Sequence, residues 1–366
     1  MRRLRVGLVA AGLVGQAEHA FYLWEDRERF ELAALADASA EVRAAVGDRY
    51  GIAERHGTLE PLLGLGLDAI VCAAPDPIHP GIAIMALDAG LHVFCEKPLA
   101  LTVELCDEMI AARDRAGCVL QVGYMKRFDP AVERLYDELP GTIEEVRFIS
   151  VEVNDPDHEP FVAHLPMTFG RDVPAHLIGE SRALSSAQLA ESAGRSLDLA
   201  GERGLGGGFL SAMVHDVAVV HGILDRLGTP LPATADHGAV FDEGRGVQLG
   251  FGLPGGGRVS MTHLNLPGVA DYTERITVYC VDRIAEVVFP SPYLRHLPTR
   301  LTVRRTDGAH GLATTEIRAG YEEAFRNELR GFHAAICDGA PVRTTAEEAR
   351  ADVVLLVSAF RRSTEA

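Results

Sequence analysis

The chain has 366 residues, 47% of them hydrophobic and 24% charged, which is typical of a globular protein and long enough for two domains with sizeable cores. Its formal net charge of −17 argues against nucleic acid or an anionic membrane surface as the main partner, because both attract basic surfaces. No uninterrupted apolar run approaches the length of a membrane span.

The beginning of the chain allows two interpretations. The apolar stretch VGLVAAGLVGQ, residues 6–16, follows several arginines, as the core of a secretory signal does. It also fits a strand that runs into a glycine turn and holds a dinucleotide. The pattern continues without a break, with an amphipathic helix predicted at 19–28, a second strand at 30–36 and Asp37 directly after it. We therefore favour a βαβ unit over the signal.

The glycine turn is an incomplete form of the G-x-G-x-x-G pattern of dinucleotide-binding folds. Ala10 stands where the first glycine would serve the tight turn, whereas Gly12 and Gly15 keep the second and third positions. The second glycine lets the pyrophosphate approach the backbone, and the third allows a helix to pack closely on a strand. Asp37 lies about twenty residues further on, where the adenosine ribose needs an acidic partner.

Strands and helices continue to alternate up to residue 123. The pattern predicts strands at 67–73, 91–95 and 119–122, and helices at 39–50, 77–89 and 102–116. Ser39 is the expected cap of the first of these helices, and Gly90 and Gly117 are the expected ends of the other two. Such alternation predicts a parallel sheet covered on both faces, so residues 1–123 are expected to form a doubly wound Rossmann domain of the α/β class.

The pattern changes after a helix predicted at 130–139, which Asp129 caps and Pro130 starts. Consecutive strands with two-residue alternation are predicted at 143–153, 247–253, 258–266, 275–281 and 284–289. We expect residues 124–366 to form an α+β domain with an open, mostly antiparallel sheet. The last predicted helices, 321–338 and 345–361, are candidates to pack back on the first domain.

Between the first of these strands and the others lies a stretch, 155–205, that we expect to be rich in loops and to shape a pocket. Its second half, rich in Ser, Ala and Gly, suggests a short helix and a lid. Four polar side chains of the stretch are available for contacts: His158, His164, Arg171 and His176.

The six cysteines are scattered through apolar segments, and none forms a CxxC pair or has the spacing of a zinc site. They are Cys72, Cys95, Cys106, Cys118, Cys280 and Cys337. We interpret them as buried free thiols in a reducing cytoplasm and predict no metal centre.

Two strand ends carry candidate chemistry. CAAPDPIH, residues 72–79, lies at the carboxyl edge of the sheet, where open α/β folds bind ligands, although a simple loop with a proline helix start is the alternative. In FCEKPLA, residues 94–100, Glu96 and Lys97 follow a strand directly. A partly desolvated lysine facing a cofactor crevice can act as acid or base, and a surface lysine at a strand end is the alternative.

Two later segments carry further candidates. VGYMKRFDPA, residues 122–131, places Lys126 and Arg127 where the predicted domains meet, either in a substrate pocket or as solvated charges at a hinge. A glycine run, 206–208, precedes a predicted helix in which Ser211 and His215 share one face. His215 could exchange a proton near neutral pH, or could simply bond a neighbouring carbonyl. The spacing of His215, Asp216 and His221 does not suit a metal site.

Together these segments resemble the Gfo/Idh/MocA oxidoreductase family, which includes glucose–fructose oxidoreductase and inositol dehydrogenase. The resemblance covers nearly the whole chain and rests on the glycine turn, P-D-x-x-H, E-K-P, G-Y-x-x-R-F-D-P, the glycine-led helix with His215 and the last two helices. It implies a nicotinamide dinucleotide fold joined to an open-faced α+β domain that binds substrate and forms homodimers or homotetramers.

The resemblance also implies roles for single residues. Cofactor contacts would come from Gly12, Leu13, Val14, Gly15, Asp37, Ala74, Pro75, His79, Glu96 and Lys97. Lys97 and His215 would be the catalytic acid/base groups. The sugar or cyclitol would be bound by Arg127, Asp155, Ser211 and Asp216.

Two departures from the family pattern concern the proton relay. Inositol dehydrogenase-like members carry an aspartate four residues before the helix histidine and another three residues after it, where this chain has Ser211 and Ala218. The relay would thus lack a carboxylate and rely on Lys97, or favour reduction over oxidation.

These observations predict a cytoplasmic oxidoreductase that transfers a hydride between nicotinamide and a carbinol or carbonyl carbon of a polyol or sugar. Asp37 favours NAD over NADP because a carboxylate accepts from the ribose hydroxyl and repels a 2′-phosphate, although Ser39 and Arg43 follow nearby. The alternatives are a redox-neutral glycosidase or epimerase that uses nicotinamide transiently, and a non-catalytic dinucleotide-binding regulator.

Overall fold

The computed structural model describes residues 2–364, which form two sheets and their covering helices. The strands are β1 (Leu4–Val9), β2 (Phe30–Ala36), β3 (Glu54–His56), β4 (Ala69–Cys72), β5 (His92–Cys95), β6 (Leu120–Val122), β7 (Val146–Asp155), β8 (His237–Phe241), β9 (Gly246–Gly252), β10 (Arg258–Asn265), β11 (Thr273–Cys280), β12 (Arg283–Phe289), β13 (Arg300–Asp307) and β14 (Gly311–Ile317). The helices are α1 (Ala20–Glu25), α2 (Ala40–Tyr50), α3 (His79–Asp88), α4 (Val103–Ala116), α5 (Pro130–Glu138), α6 (Glu159–Val162), α7 (Ala175–Ala193), α8 (Leu199–Glu202), α9 (Val214–Arg226), α10 (Ala324–Cys337) and α11 (Ala346–Arg362).

The chain divides into two compact units. The first unit comprises the chain up to Tyr124 together with residues 162–188 and 325–350. The second comprises residues 125–161 and 189–324 and the chain from Ala351 onward.

The first unit contains a six-stranded sheet in the order β3-β2-β1-β4-β5-β6, with every neighbouring pair parallel. This is the strand order of a Rossmann fold, and it confirms the predicted doubly wound class. The order reverses between β1 and β4, and open α/β sheets bind ligands at the carboxyl ends of the strands at such a point.

The helix boundaries in this unit follow the predicted caps. Ser39 accepts a hydrogen bond from the Val42 amide at the start of α2. Thr102, which was predicted inside the helix 102–116, instead caps α4 by accepting from the Leu105 amide. Gly117 ends α4 with a φ of 62°, a left-handed conformation that glycine adopts without steric cost. Local side-chain chemistry therefore fixes where these helices begin and end.

The second unit contains an eight-stranded sheet in the order β14-β13-β12-β11-β7-β10-β9-β8. All its neighbouring strands are antiparallel except β7 and β10, which are parallel. The expected open, mostly antiparallel sheet is confirmed. In β9, Val247, Leu249 and Phe251 are buried, as their two-residue alternation predicts. Asp129 caps α5 by accepting from the Ala131 amide, also as predicted.

The prediction of a loop-rich stretch with only a short helix after β7 is wrong. Residues 175–193 form the 19-residue helix α7. Several of its apolar side chains, including Leu177, Ile178 and Leu184, are exposed. The helix therefore has no continuous apolar stripe, which was the signal used for the other helices. Strand β14 was not predicted for a similar reason. Six of its seven residues are exposed, so buried and exposed positions do not alternate along it.

The glycine run was predicted to precede a helix. It lies inside one instead. Residues 203–213 form a π-helical segment that links α8 to α9. A Cβ at Gly204 would lie 2.7 Å from Val240, and one at Gly208 would lie 2.5 Å from Val247. These two glycines let the helix approach the sheet closely.

The continuous helical run Leu199–Arg226 is long and apolar enough to span a membrane, but 78% of its apolar window is buried inside the protein. It therefore has the burial of a core helix, which passes the same test of length and composition.

The glycine contacts predict opposite effects for two neighbouring substitutions. Gly208→Ala should lower the free energy of unfolding by roughly 1–3 kcal/mol, because the new methyl group overlaps Val247. Gly207→Ala, whose Cβ meets nothing within 4 Å, should raise it by roughly 0.5–1 kcal/mol, because alanine loses less backbone entropy on folding. Urea denaturation of both variants measures the difference, and equal effects would contradict the packing argument.

Candidate functional site

The predicted cofactor residues of the first unit lie at one edge of its sheet. The glycine turn follows β1, Asp37 follows β2, Ala74 and Pro75 follow β4, and Glu96 and Lys97 follow β5. Parallel strands end at a common edge, and this edge includes the point where the strand order reverses. The fold thus places on one rim residues that are far apart in sequence.

The turn after β1 uses alanine where the nucleotide-binding pattern has its first glycine. Ala10 has a φ of 63°, in the left-handed region that favours glycine. A Cβ at Gly15 would lie 2.7 Å from the Ala10 carbonyl oxygen, whereas one at Gly12 would meet nothing within 4 Å. Gly15 is therefore required by packing, and Gly12 is the exposed glycine that leaves room for a ligand.

The turn also begins a helical run, because the Gln16 amide donates to the Gly12 carbonyl at 3.0 Å. Leu13 and Val14 are half-buried in this first turn. The first amides of a helix have no intrahelical acceptor and favour anionic groups. The geometry fits a bound pyrophosphate at residues 12–15.

Asp37 is fixed at the end of β2 by two backbone donors. Its Oδ2 accepts from the Ala11 amide at 2.8 Å, and its Oδ1 accepts from the Ser39 amide at 2.8 Å. These bonds tie the carboxylate to the glycine turn on one side and to the start of α2 on the other. Each carboxylate oxygen retains further acceptor capacity, so the group suits a ribose hydroxyl.

His79 is fully buried, and each of its ring nitrogens faces a carbonyl oxygen. Nε2 lies 2.7 Å from the Ala74 oxygen and Nδ1 lies 2.9 Å from the Pro98 oxygen. Two carbonyl acceptors require two N–H donors, so the ring is an imidazolium. Burial by itself lowers the pKa of His79, but Cys72, Asp76 and the two carbonyls raise it above its ordinary value. His79 thus connects the loop after β4 to the E-K-P segment.

The partner of this imidazolium is a thiol pair on two neighbouring strands. Cys72 and Cys95 are paired in register on β4 and β5, and their hydrogen bond lowers the pKa of Cys72 to about 7. The donor atoms of His79 and the two cysteines lie within 4.8 Å of one another. Both His79 nitrogens are already engaged by carbonyl oxygens. All six cysteines are free as predicted, but only Cys72, Cys95 and Cys106 are buried.

Glu96 is buried after β5 and paired with a histidine. Its Oε1 lies 2.7 Å from His19 Nε2, and its Oε2 accepts from the Lys97 amide at 3.1 Å. Burial raises the pKa of Glu96, but the hydrogen bond and charge of His19 outweigh that effect and lower it. Gly123 leaves the space that the carboxylate fills, since a Cβ there would lie 3.2 Å from it. Lys97 itself is half-buried.

A second carboxyl group, which the sequence did not single out, lies beside this pair. Glu328 on α10 is fully buried, and both its oxygens lack a hydrogen-bond partner among the described residues. Its ligand atoms lie within 4.8 Å of those of His19 and Glu96. Burial, followed by the charges of Glu96 and Glu18, raises the pKa of Glu328 well above its usual range. The surroundings of Glu328 therefore favour its protonated form, whereas those of Glu96 favour the ionised one.

The second unit holds the other predicted residues. Arg127 is half-buried, and its guanidinium donates to the Ala218 carbonyl of α9 at 3.2 Å. Ser211 lies in the π-helical segment and His215 in the first turn of α9, and both are half-buried. A Cβ at Gly222 would lie 2.7 Å from Arg127 Nε, so Arg127 packs closely along α9.

Lys126 is the centre of a buried charged cluster in this unit. The ammonium forms an ion pair with Glu274 of β11 and lies 5.5 Å from the ring centroid of Phe289. Burial lowers the pKa of Lys126, but Glu274, Asp216 and Asp155 raise it above its ordinary value. The structure therefore brings Asp155 and Asp216, both predicted substrate residues, into the field of one cation.

Asp216 and Glu274 also share a hydrogen bond in this cluster. Burial and the charge of Glu274 raise the pKa of Asp216 well above its usual range, which favours the protonated carboxyl. The Tyr272 hydroxyl donates to Glu274 as well. One ammonium, one hydroxyl and one carboxylic acid thus surround the Glu274 carboxylate.

Asp155 ends β7 with two histidines nearby. Its oxygens lie 3.7 Å from His263 Nε2 and 3.8 Å from His158 Nδ1. Burial raises the pKa of Asp155, but His263, His158 and Lys126 outweigh that effect and lower it. His263 is 4% exposed, and neither ring nitrogen has a hydrogen-bond partner among residues 2–364. These groups have unused capacity to bind a hydroxylated molecule.

Sequence reasoning missed Lys126, Glu274 and His263 as members of one cluster. One available signal was the scarcity of lysine, since 33 of the 35 basic residues are arginine and only Lys97 and Lys126 are lysine. Glu274 and His263 gave no such signal, because a single polar residue in a strand is indistinguishable from a solvent-facing one. Of the four polar side chains noted in the 155–205 stretch, only His158 contacts Asp155.

Residues 4–124 match the model of a family described as oxidoreductases with an NAD-binding Rossmann fold. This segment is therefore similar to the Gfo/Idh/MocA oxidoreductases. The matched range ends two residues after β6, so it contains every predicted cofactor residue of the first sheet.

Curated relatives support the same assignment over a limited range. Inositol 2-dehydrogenase 1 of Saccharopolyspora erythraea is 37% identical over 134 residues, which are 35% of this chain and 39% of that protein. D-glucoside 3-dehydrogenase of Escherichia coli is 33% identical over 137 residues, 37% of this chain and 39% of that protein. The matches therefore span well under half the length of these relatives.

The likeness of fold extends over both units. The structure of UDP-N-acetylglucosamine 3-dehydrogenase from Acidithiobacillus ferrooxidans covers 99% of this chain and is itself covered to 98%, with a TM-score of 0.71. The two sequences are 20% identical, so this likeness concerns the fold.

The conformation of Ala10 predicts that Ala10→Gly stabilises the protein. Relief of the left-handed strain should exceed the backbone entropy that glycine adds to the unfolded chain, raising the free energy of unfolding by roughly 0.5–1 kcal/mol. Ala11→Gly, at a neighbour without positive φ, should instead lower it by a similar amount. Denaturant unfolding of both variants provides the measurement, and a destabilised Ala10→Gly variant would contradict the strain argument.

The protonated state of Glu328 predicts a pH-dependent stability. The folded protein keeps a proton that the unfolded chain releases above a pKa of 4.5, so the contribution of this group to stability falls as pH rises. The slope is at most about 1.4 kcal/mol per pH unit. Glu328→Gln should remove it, so its advantage over the wild type should grow between about pH 5 and pH 8.

The matched control is Glu108→Gln on the exposed side of α4, which should follow the wild-type pH dependence. Unfolding free energies from urea titrations at several pH values make the comparison. A constant difference between Glu328→Gln and wild type at all pH values would show that Glu328 is ionised in the folded protein.

Proposed function

We propose that the protein is an NAD-dependent oxidoreductase that transfers a hydride between nicotinamide and a carbinol or carbonyl carbon of a sugar, cyclitol or related polyol. The observation that carries the proposal is the common edge of the first sheet. There, four strand ends present the glycine turn, Asp37, the Ala74–Pro75 loop and the Glu96–Lys97 pair, all within the range that matches an NAD-binding family.

The residues at this edge fit a dinucleotide. Gly12 offers an open approach to the backbone, the helical turn after it offers amides to a pyrophosphate, and Asp37 offers acceptors to the adenosine ribose. Bound nicotinamide would accept or donate the hydride. Glu96, held ionised by His19, would help to place the ring, and His79 would keep the Ala74 loop and the E-K-P segment in register.

Lys97 would give a proton to the substrate oxygen during reduction and take it during oxidation. The hydrogen bond from its amide to Glu96 Oε2 anchors the backbone of Lys97 and so fixes the position from which its side chain extends. His215 would assist. Because Ser211 and Ala218 stand where related sequences carry aspartates, Lys97 would carry most of the proton transfer.

A polyol is favoured by the polar groups of the second unit. Asp155, His263 and Lys126 provide acceptor and donor atoms, and hydroxyl groups of a sugar can pair with both kinds. The named activities of the relatives, on inositol and on a glucoside, agree with this class. Arg127, Ser211 and Asp216 remain predicted substrate residues, and a cytoplasmic homodimer or homotetramer remains the predicted assembly.

One experiment tests the proposal with Lys97. Purified protein is titrated with NADH by calorimetry and then assayed for NAD reduction with myo-inositol, glucose and methyl glucosides. Lys97→Met should bind NADH within about twofold of wild type, while turnover falls by roughly 10²–10⁴-fold, the usual contribution of a general acid or base. Arg115→Met, at an exposed cation of α4, is the control and should keep both properties.

The outcomes separate the alternatives. Full activity of Lys97→Met would overturn its catalytic role, and failure of the wild type to bind NADH would overturn the oxidoreductase itself. Product without accumulating NADH would identify a redox-neutral reaction. NADH binding without turnover of any polyol would favour a regulator, as the two missing aspartates suggest.

A further inference from the structure

A segment distant in sequence lies along the glycine turn of the first unit. Gln16 Nε2 donates to the Thr168 carbonyl at 2.8 Å, and the Thr168 amide donates back to Gln16 Oε1 at 3.0 Å. The Arg171 amide donates to Glu41 Oε2 at 3.1 Å. Residues 168–171 therefore connect the turn after β1 to the beginning of α2.

The segment ends by placing a carboxylate on the N-terminus of α2. Asp172 Oδ2 accepts from the Ala40 amide at 2.8 Å and from the Glu41 amide at 3.2 Å, and Oδ1 accepts from the Ser39 hydroxyl. The bond from Ser39 and these amides lower the pKa of Asp172, so the group is an anion. Gly170 makes the approach possible, since a Cβ there would lie 2.1 Å from Ser39 Oγ.

This position matters for the choice of cofactor. Asp37, two residues before Ser39, is the predicted partner of the adenosine ribose, so a phosphate on the ribose 2′-oxygen would come next to the start of α2. The hydroxyl and amides there are the groups that would bind such a phosphate. These groups already donate hydrogen bonds to the Asp172 carboxylate.

The nearby cation is engaged as well. Arg43 Nη1 donates to the Asp37 carbonyl oxygen, one turn into α2. Ser39 and Arg43 are the two residues that could have favoured NADP. Both donate their hydrogen bonds to acceptors within the protein instead.

We propose that Asp172 is a specificity-determining residue: its carboxylate occupies the place of a 2′-phosphate, and it excludes NADP in favour of NAD. The inference rests on the proposed dinucleotide function and adds a second anion to the discrimination by Asp37. A 2′-phosphate would have to displace Asp172 from three donors and then lie between two carboxylates. The ribose of NAD, which carries a hydroxyl, meets neither obstacle.

The test compares NADH and NADPH binding by calorimetry for the wild type and for Asp172→Ala. The wild type should prefer NADH. Asp172→Ala should bind NADPH roughly two- to thirtyfold more tightly than the wild type, the range that a charge at a helix N-terminus provides, and NADH affinity should change by less than about twofold. Asp172→Asn keeps an acceptor but loses the charge, so its NADPH affinity should lie between those of the wild type and Asp172→Ala.

Asp198→Ala is the matched control. Asp198 also caps a helix with its carboxylate, accepting from the Gly201 amide at 2.8 Å at the start of α8. Its removal should leave the ratio of NADPH to NADH affinity unchanged. A changed ratio in this variant would show that general loss of a cap, rather than the position of Asp172, alters cofactor choice.

If the wild type binds a dinucleotide, three results overturn the inference. They are equal affinities of the wild type for the two cofactors, an unchanged ratio in Asp172→Ala, and an equal gain for both cofactors, which would make Asp172 an obstruction to any dinucleotide. Wild type that binds neither cofactor would also refute it, together with the proposed function. NADH binding with an unchanged ratio refutes the role of Asp172 alone.

Discussion

Parallel pairing is the constraint on which the arrangement of the first unit depends. Each parallel strand delivers the residue after its carboxyl end to the same rim, so residues 12, 37, 75 and 97 become neighbours along one edge although they span more than eighty positions. Hydrogen bonds then set their spacing. Asp37 is joined to Ala11 and Ser39, and His79 joins the Ala74 loop to Pro98. The chemistry at the edge thus follows from the sheet order and a few buried bonds.

Both units use the same solution for buried acids. In each, one carboxylate is paired with a basic group, as Glu96 is with His19 and Glu274 with Lys126. A second carboxyl, Glu328 or Asp216, keeps its proton because burial and the neighbouring anion both oppose its ionisation. Each cluster therefore carries less negative charge than two ionised carboxylates would, and this lowers the free-energy cost of burying it.

The sequence predicted features that depend on short-range chemistry. The caps at Ser39 and Asp129, the glycine end of α4 and the alternation of β9 follow from local patterns, and all are confirmed. The glycine turn was also visible despite its alanine. What escaped prediction depends on distant contacts or lacks periodicity. Helix α7 has no apolar stripe, and β14 is exposed on both faces.

The same distinction holds for the site. The residues after β1, β2, β4 and β5 could be named because each follows an apolar run. Glu328 and Asp172 could not, since the first is one acid in an amphipathic helix and the second lies in a stretch without periodicity. Their roles depend on partners about 230 and 130 positions away, and only the folded chain defines those pairs.

The near-absence of lysine has a practical chemical consequence. Reagents that acylate or alkylate side-chain amines have two targets in the chain, and arginine does not react with them at neutral pH. Lys126 is 6% exposed and bonded to Glu274, whereas Lys97 is half-buried at the rim of the sheet. A fluorophore or crosslinker attached through a side-chain amine would thus report from the E-K-P segment, giving the folded protein a natural single-position probe.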